Sequence, residues 1–167
     1  MAKRKRITVA ELRALLRYDP ETGEFTWLQT GSGRNADGRA GSLGHKGCIQ
    51  ITIRYRNYKA HMLAWLYMTG KWPQREIDHW NTKRADNRWS NLRLATRTQN
   101  RRNSGLPRNN KSGYVGVFWD KYARKWRASI GSKFLGNFAT PEEGAEAYRK
   151  AALAKYGEFA HESLKKT

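Results

Sequence analysis

One stretch in the middle of the chain restricts the possible folds more than any other. Asp78 and His79 stand together on a predicted short strand, and a polar turn follows them. A second strand brings in Asn91, and a helix after it brings in Asn100. A hairpin followed by a helix therefore places a carboxylate, an imidazole and two amides near one another. Such a set can hold one divalent metal ion and one general base.

The net charge indicates the class of partner. Thirty-three Lys and Arg against 14 Asp and Glu give a formal charge of +19 and a pI near 10.5. Because so much self-repulsion contributes nothing to folding, we expect a polyanion as the partner. Generic basicity without specific binding is the alternative.

Cysteine usage and hydropathy exclude several classes of protein. Cys48 is the only cysteine, which excludes an intramolecular disulfide and a cysteine-rich zinc site. No apolar run approaches the roughly 20 residues that span a bilayer, so no membrane partner is expected. The basic residues 1–6 have no apolar segment behind them and predict a flexible arm, not a secretory signal. An intracellular location is therefore expected.

The region before the central stretch predicts a leader of one helix and several strands. Thr8 and Glu11 form a capping-box pattern, and Ile49, Ile51 and Ile53 alternate with polar residues. The predicted elements are a helix over 7–17, a strand over 24–27, a loop over 31–47, a strand over 48–54, a turn at 56–57 and a return strand from 58.

Residues 60–68 are apolar almost all round and predict the core helix of this half, ended by Gly70 and Pro73. His61 lies in the first turn of this helix. Two interpretations stay open for it: a capping or hydrogen-bonded core histidine, or a phosphate contact near the active site.

Residues 96–103 predict a polar helix that carries Arg97, Arg101 and Arg102 and no acid. A solvated face is the usual explanation for such a run. Because this one begins beside the candidate catalytic residues, we favour a phosphate-binding surface.

A shift to Gly, Pro, Asn and Ser over 104–112 predicts a linker between a domain of residues 1–103 and one of residues 113–167. The second domain has predicted strands over 113–119, 125–130 and 133–138 and a helix over 141–156, with Thr140 and Glu143 as a capping box. The predicted class is therefore α+β: a β-hairpin and helix leader with a ββα unit, then a small β-β-β-α domain.

Phosphodiester hydrolysis requires an activated water, neutralisation of charge on the phosphate and help for the departing 3′ oxygen. A divalent metal held by a carboxylate and an amide oxygen supplies the last two. A neutral histidine supplies the first. Adjacent strand residues face opposite ways, so Asp78 and His79 need a distorted or terminal strand position to reach one phosphate. Asn91 could bond to the imidazole and fix its tautomer.

The Asp78-His79 pair, the Asp-Asn-Arg-Trp-Ser-Asn-Leu-Arg run from Asp86 and the closing Gln-Asn at 99–100 occur in order. This stretch resembles the HNH endonuclease family of ββα-metal fold, and most of all its phage homing endonucleases. The resemblance implies that His79 activates water, that Asp78 and Asn100 bind the metal, and that Asn91 supports the histidine and the loop. Asn100 stands where the family name has His, which implies Mg²⁺ or Mn²⁺ instead of zinc.

The second domain is similar to the ethylene-response-factor (APETALA-two) DNA-binding domain over 112–117, 125–128, 134–138, 140–143 and 145–152. In that family a three-stranded sheet lies in the major groove. Val115 and Phe118 replace arginines of the plant domains, so base specificity cannot be carried over. The predicted DNA contacts, from this resemblance and from the basic segment around 84–111, are Arg88, Arg93, Arg97, Arg101, Arg102, Tyr114, Phe118, Trp119, Arg124, Lys125, Trp126 and Arg127.

The leading interpretation is a metal-dependent endonuclease that acts on double-stranded DNA, of phage homing or nicking type, in the bacterial host cytoplasm if phage-encoded. The rival is a non-catalytic DNA-binding regulator with a degenerate HNH scaffold, which would have no reason to keep all four polar residues of the central stretch. An RNA-binding protein is a weaker rival, because no recognised RNA module is present. One HNH site per chain favours nicking unless the protein dimerises or acts twice. Target sequence and oligomeric state stay open.

Overall fold

The structure, a computed structural model, describes residues 6–29, 31, 38–103, 106 and 110–160. Contacts between Cα positions divide the chain into two compact units, residues 1–97 and 98–167. The predicted linker over 104–112 falls mostly outside the described residues, so the predicted domain boundaries stay a prediction. The described part is mixed α+β, with four small sheets and four α-helices.

The first unit begins with a short capped helix. In α1 (Val9–Leu15) the Thr8 hydroxyl accepts from the Glu11 amide, and the Glu11 carboxylate accepts from the Thr8 amide, as predicted. The chain then passes directly into β1 (Leu16–Tyr18), which pairs antiparallel with β2 (Phe25–Trp27). The prediction missed β1, because its apolar residues continue the helical spacing of α1.

A second sheet has the order β3-β4-β5, with β3 (Ser42–Leu43), β4 (Ile49–Ile53) and β5 (Arg56–Lys59) all antiparallel. The predicted loop over 31–47 therefore contains one short strand. The predicted turn at 56–57 was also wrong, because the turn lies at Arg54–Tyr55, both with positive φ. Arg and Tyr rarely occupy such a turn, so the turn could not be predicted from these residue types.

The core helix α2 (Ala60–Thr69) is as predicted and ends at Gly70, whose left-handed φ of 74° suits a residue without a Cβ. No helix in the described ranges is long and apolar enough to cross a bilayer. The fully buried side chains of the first unit include Leu12, Leu16, Phe25, Ile51, Leu63 and Leu66.

The central stretch forms a hairpin and a helix. β6 (Glu76–His79) pairs antiparallel with β7 (Leu92–Ala95), and a 3-10 turn at Trp89–Asn91 precedes β7. α3 (Arg97–Arg102) follows, so the predicted strand-strand-helix order is present. Asn91 lies on the 3-10 turn and not on the second strand as predicted.

The described part of the second unit is a three-stranded antiparallel sheet covered on one face by a helix. The order is β10-β9-β8, with β8 (Val117–Asp120), β9 (Lys125–Ile130) and β10 (Lys133–Phe138). α4 (Pro141–Tyr156) carries the predicted capping box at Thr140. β8 begins four residues later than predicted, because the two glycines before it have positive φ and form turns.

Candidate functional site

Asp78 and His79 occupy the last two positions of β6 and are 3% and 6% exposed. The chain bends immediately after them: the Trp80 amide donates to the Asn91 carbonyl, and the Thr82 amide donates to the His79 carbonyl. The terminal strand position that the sequence required for this pair is therefore present.

Arg93 faces Asp78 directly across the hairpin. Its Nε donates to Asp78 Oδ2 at 2.9 Å, and its Nη2 lies 2.7 Å from the same oxygen. The two side chains are 14% and 4% exposed, and the guanidinium lies 4.8 Å from the centre of the Trp80 ring. Arg93 was predicted as a DNA contact; the structure places its charge against a buried carboxylate.

The contact that orients the His79 imidazole comes from Asn87. Asn87 Oδ1 lies 3.3 Å from His79 Nε2, and Asn87 Nδ2 donates to the Ala85 carbonyl at 3.1 Å. Because Nδ2 is the donor end of the amide, Oδ1 is the acceptor and Nε2–H donates to it. The lone pair of the neutral ring is then on Nδ1.

The protonation state of His79 suits a base. Burial lowers the pKa of His79 below its ordinary value, while the Asn87 hydrogen bond and the charges of Asp78 and Asp86 act in the opposite direction. The net shift is downward, so the imidazole is neutral around pH 7 and can accept a proton.

The side chain of Asn91 makes its hydrogen bonds to the backbone of the loop and not to the His79 imidazole. Its Nδ2 donates to the Asp86 carbonyl at 2.7 Å, and its Oδ1 accepts from the Asn81 amide at 2.9 Å. The predicted bond from Asn91 to the imidazole is thus corrected, since Asn87 makes that contact. The sequence signal for Asn87 was its place in the run that begins at Asp86, but no role was assigned to it.

Arg88, a predicted DNA contact, is bound to the same loop. Its Nε and Nη2 donate to the Asp86 carboxylate at 2.9 and 2.6 Å. These bonds, followed by those from the Arg88 amide and Asn81, lower the pKa of Asp86 to about 2. The Arg88 side chain is still 50% exposed, so a phosphate can reach it.

His61 packs directly against His79. The ring centres are 4.9 Å apart at an interplanar angle of 89°, and His61 is 7% exposed. Its Nδ1 is buried without a hydrogen-bond partner among the residues that the structure describes. Burial, followed by the charges of His79 and Lys59, lowers the pKa of His61 to about 3, so this ring is neutral too.

The remaining predicted residues of the central stretch lie on α3. Arg97 begins the helix and is exposed, while Asn100 and Arg101 belong to the second unit. The side chain of Arg102 lies outside the described residues. Within the described ranges, no three His, Cys, Asp or Glu side chains form a cluster suited to a metal ion. The predicted ligands, one carboxylate and one amide, make a smaller set than such a cluster.

Strand alternation separates the predicted DNA contacts of the second unit. Val117, Trp119 and Trp126 share the face that α4 covers, whereas Phe118 and Arg127 share the open face. Trp119 and Trp126 contact each other with ring centres 5.3 Å apart. The prediction grouped these tryptophans with Arg127, and the register places them on opposite faces.

On the open face, Arg127 lies over the rings of Phe118 and Phe134, at 5.9 and 4.9 Å from their centres. Lys125 is exposed, and Arg124 has a positive φ in the turn before it. The Tyr114 hydroxyl donates to Glu142 Oε1 at 3.3 Å.

Comparison with known proteins adds one family and one relative. Residues 58–102, from β5 to α3, match the model of a family described as HNH endonuclease. Protein 3.8 of Escherichia phage T7 is 31% identical over 77 residues, which are 46% of this chain and 64% of that protein. The chain thus spans less than two thirds of the length of this relative. No solved structure matches the chain significantly. The segment similar to the HNH endonuclease family is therefore the one that carries Asp78, His79, Asn91 and Asn100.

Proposed function

We propose that the protein is a metal-dependent DNA endonuclease in which His79 activates the attacking water. The observation that carries this proposal is the neutral imidazole at the end of β6, with Nε2 bonded to Asn87 and Asp78 beside it. The family match over residues 58–102 supports the same reaction class.

His79 Nδ1 takes a proton from water while the water oxygen attacks phosphorus. The Nε2–H bond to Asn87 persists in the imidazolium, so the ring needs no reorientation when it becomes charged. The carboxylates of Asp78 and Asp86 favour that positive charge. Asn91 acts as a positioning residue, because it fixes the loop that carries Asn87.

The donor set around Asp78 fits a hard divalent ion. Its buried carboxylate supplies oxygen, and Arg93 contacts it through Oδ2. A carboxylate offers about four acceptor sites, so the group has capacity for a cation as well. Asp78 would hold Mg²⁺ or Mn²⁺ together with Asn100, which enters the proposal from the sequence resemblance. When bound, the ion neutralises charge on the phosphate and assists the departing 3′ oxygen.

Double-stranded DNA is the proposed substrate. The charge of +19 supports a polyanionic partner. Arg88, Arg97, Arg101 and Arg102 are proposed to contact phosphates, and the sheet of the second unit is proposed to add affinity and site choice. Phe118 and Arg127 on the open face of that sheet support the proposal, and Trp119, which is 49% exposed, stays a predicted contact. One site per chain makes nicking the expected outcome, in a phage homing-type enzyme.

A non-catalytic DNA-binding regulator is the second candidate. The observation in its favour is the Arg93–Asp78 ion pair, because it balances the carboxylate without a metal. In that case the hairpin would be only a scaffold.

Supercoiled plasmid in Mg²⁺ or Mn²⁺ separates the two candidates. The wild type is expected to produce nicked circles, with activity abolished by chelator and lowered about 10²–10⁴-fold in His79→Ala. DNA binding by His79→Ala should be retained. A wild type that binds plasmid but cuts it with neither metal, or a His79→Ala variant that nicks at the wild-type rate, would refute the catalytic proposal.

A further inference from the structure

A cleft in the first unit carries arginines that the proposed reaction does not use. It has a volume of about 210 Å³ and is lined by Arg6, Arg54 and Arg56, with Glu11 at one side and Tyr58 among its apolar walls. Three positive charges against one negative charge favour an anionic ligand. Small-molecule sites usually measure about 300–1,000 Å³, so this cleft suits a single phosphate group better than a whole nucleotide.

Aromatic contacts orient two of these guanidiniums. Tyr58 and Trp72 stack with ring centres 5.8 Å apart. Arg6 lies over Trp72 and Arg56 lies over Tyr58, each 5.4 Å from the ring centre. Ile7 fixes the segment, because its amide donates to the Tyr58 hydroxyl and its carbonyl accepts from Trp72 Nε1. An oriented guanidinium loses little freedom on binding phosphate, which favours this geometry for phosphate recognition.

Glu11 offsets only one of the three charges. Arg54 Nη1 donates to Glu11 Oε1 at 2.6 Å. The Thr8 amide, and then Arg54, lower the pKa of Glu11 to about 2, so this carboxylate is ionised at neutral pH. The residues that line the cleft therefore have a formal net charge of +2.

The turn beside the cleft has a sequence that does not suit its conformation. Arg54 and Tyr55 have φ of 50° and 62°, in a two-residue loop between paired Ile53 and Arg56. Hairpin loops with two positive φ values favour Asn-Gly, because other side chains are strained there. Tyr55 is 94% exposed, so it contributes nothing to the core. A strained, exposed aromatic residue next to arginines is typical of a binding element.

We propose that this cleft and the Arg54–Tyr55 turn form a second DNA contact, outside the cleavage site. Arg6 and Arg56 bind a backbone phosphate, and Tyr55 lies against the neighbouring sugar or base. This inference rests on the proposed function, since it takes DNA as the polyanion. It adds an anchoring surface on the leader that precedes the HNH segment.

Duplex binding measured against NaCl concentration tests the proposal, with a 30-base-pair DNA and all variants in the uncleaving His79→Ala background. Arg56→Gln is expected to weaken binding several-fold and to reduce the slope of log K against log salt by about 1. Arg17→Gln is the matched control, because Arg17 is an exposed strand residue of the same unit that does not line the cleft. It should change the slope much less.

The turn variant Tyr55→Gly, which keeps the Arg54–Glu11 ion pair, adds a readout that loss of folding cannot imitate. It should raise Tm by about 2–5 °C, because it relieves the turn, and still weaken DNA binding.

Three results would overturn the proposal. The first is an equal salt slope of DNA binding for Arg56→Gln and Arg17→Gln. The second is unchanged DNA binding in the turn variant, and the third is a variant that loses binding of inorganic phosphate but not of DNA. For the last, a phosphate-dependent rise in Tm that Arg56→Gln abolishes, with DNA binding unaffected, would identify a small-anion site. Wild-type plasmid nicking is scored separately, so failure of the cleft is distinguishable from failure of the nuclease proposal.

Discussion

The carboxylate of Asp78 and the guanidinium of Arg93 face each other across the β6–β7 hairpin, with Arg93 Nε 2.9 Å from Asp78 Oδ2. Both side chains are largely buried. A buried charge is stable only while it has a partner, so each of these residues depends on the other. The same carboxylate is the proposed metal ligand, which makes Arg93 its counter-charge in the absence of metal.

Replacing Arg93 tests this dependence. Arg93→Met should lower the free energy of unfolding by about 3–5 kcal/mol, because it removes a positive charge that lies against the buried Asp78 carboxylate. Urea denaturation without metal measures the loss. Mg²⁺ or Mn²⁺ should recover part of it, since a bound cation replaces the missing charge.

The control is the double variant Asp78→Leu/Arg93→Met, which removes both charges and should recover most of the stability without responding to metal. A loss below about 1 kcal/mol in Arg93→Met would place this pair among ordinary surface ion pairs and contradict the argument.

Asn87 should control the pKa of His79 in the reaction, because it is bonded to the imidazole. Asn87→Ala removes the hydrogen bond that raises the pKa of His79, so that pKa should fall further and the acid limb of the kcat/KM profile should move to lower pH. Asn87→Asp places a negative charge there and should move the limb to higher pH.

Plasmid nicking measured from pH 5 to 8 gives both profiles. The two variants control for each other, because the acid limb should shift to lower pH in Asn87→Ala and to higher pH in Asn87→Asp. Damage to the loop would lower the rate in both variants without shifting the two limbs in opposite directions. Identical limbs for all three proteins would show that Asn87 does not orient the base.

A glycine far away in sequence supports the Asn87 loop. A Cβ at Gly23 would lie 2.3 Å from the Arg88 nitrogen and 2.4 Å from the Asn87 carbonyl carbon, and Gly23 has a φ of 76°. Gly23→Ala should therefore cost about 3 kcal/mol of stability and displace Asn87, which would also slow nicking. Gly47→Ala is the matched control, with a φ of 73° and no atom within 4 Å of the added Cβ.

Thermal denaturation and nicking rates of both glycine variants provide the measurement. Gly47→Ala should show only backbone strain, about 1 kcal/mol, and a normal nicking rate. If Gly23→Ala were as mild as Gly47→Ala, the β1–β2 turn would not support the site.

The elements that were predictable have strong local signals. Thr8 and Thr140 each cap a helix with a glutamate three residues later, and Gly70 ends α2. The strand that carries Asp78 and His79 was also predictable from the sequence, but its end at His79 was not. Such features depend on neighbouring residues, so short-range chemistry decides them.

The missed features depend on residues distant in sequence. Asn87 reaches His79 because Gly23 permits close approach and because the Tyr18 hydroxyl donates to the Asn87 carbonyl at 2.6 Å. No local pattern around Asn87 encodes either contact. The turn at Arg54–Tyr55 was missed for a different reason, since neither residue favours the conformation that it adopts.

Acid should weaken the first unit before its carboxylates titrate. His61 has a folded-state pKa of about 3, and that of His79 is also lowered, whereas unfolded histidine has a pKa near 6.5. A histidine with a depressed folded pKa contributes stability that is complete above about pH 6.5 and is lost as pH falls. The loss approaches about 1.4 kcal/mol per pH unit for each such histidine.

The window between pH 6.5 and 5 isolates this effect. The stability that Asp86 and Glu11 contribute through their lowered pKa values begins to be lost only near pH 5, where the carboxyls of the unfolded chain start to take up protons. His61→Leu should flatten the dependence of unfolding free energy on pH in that window by up to about 1.4 kcal/mol per unit, since the variant has one fewer histidine to protonate on unfolding. Urea titrations at half-unit steps measure the slope, with His45→Leu as control, because His45 is exposed and lies in a turn. Equal slopes for wild type and His61→Leu would mean that His61 is protonated in the folded protein, which its contact with His79 and its burial argue against.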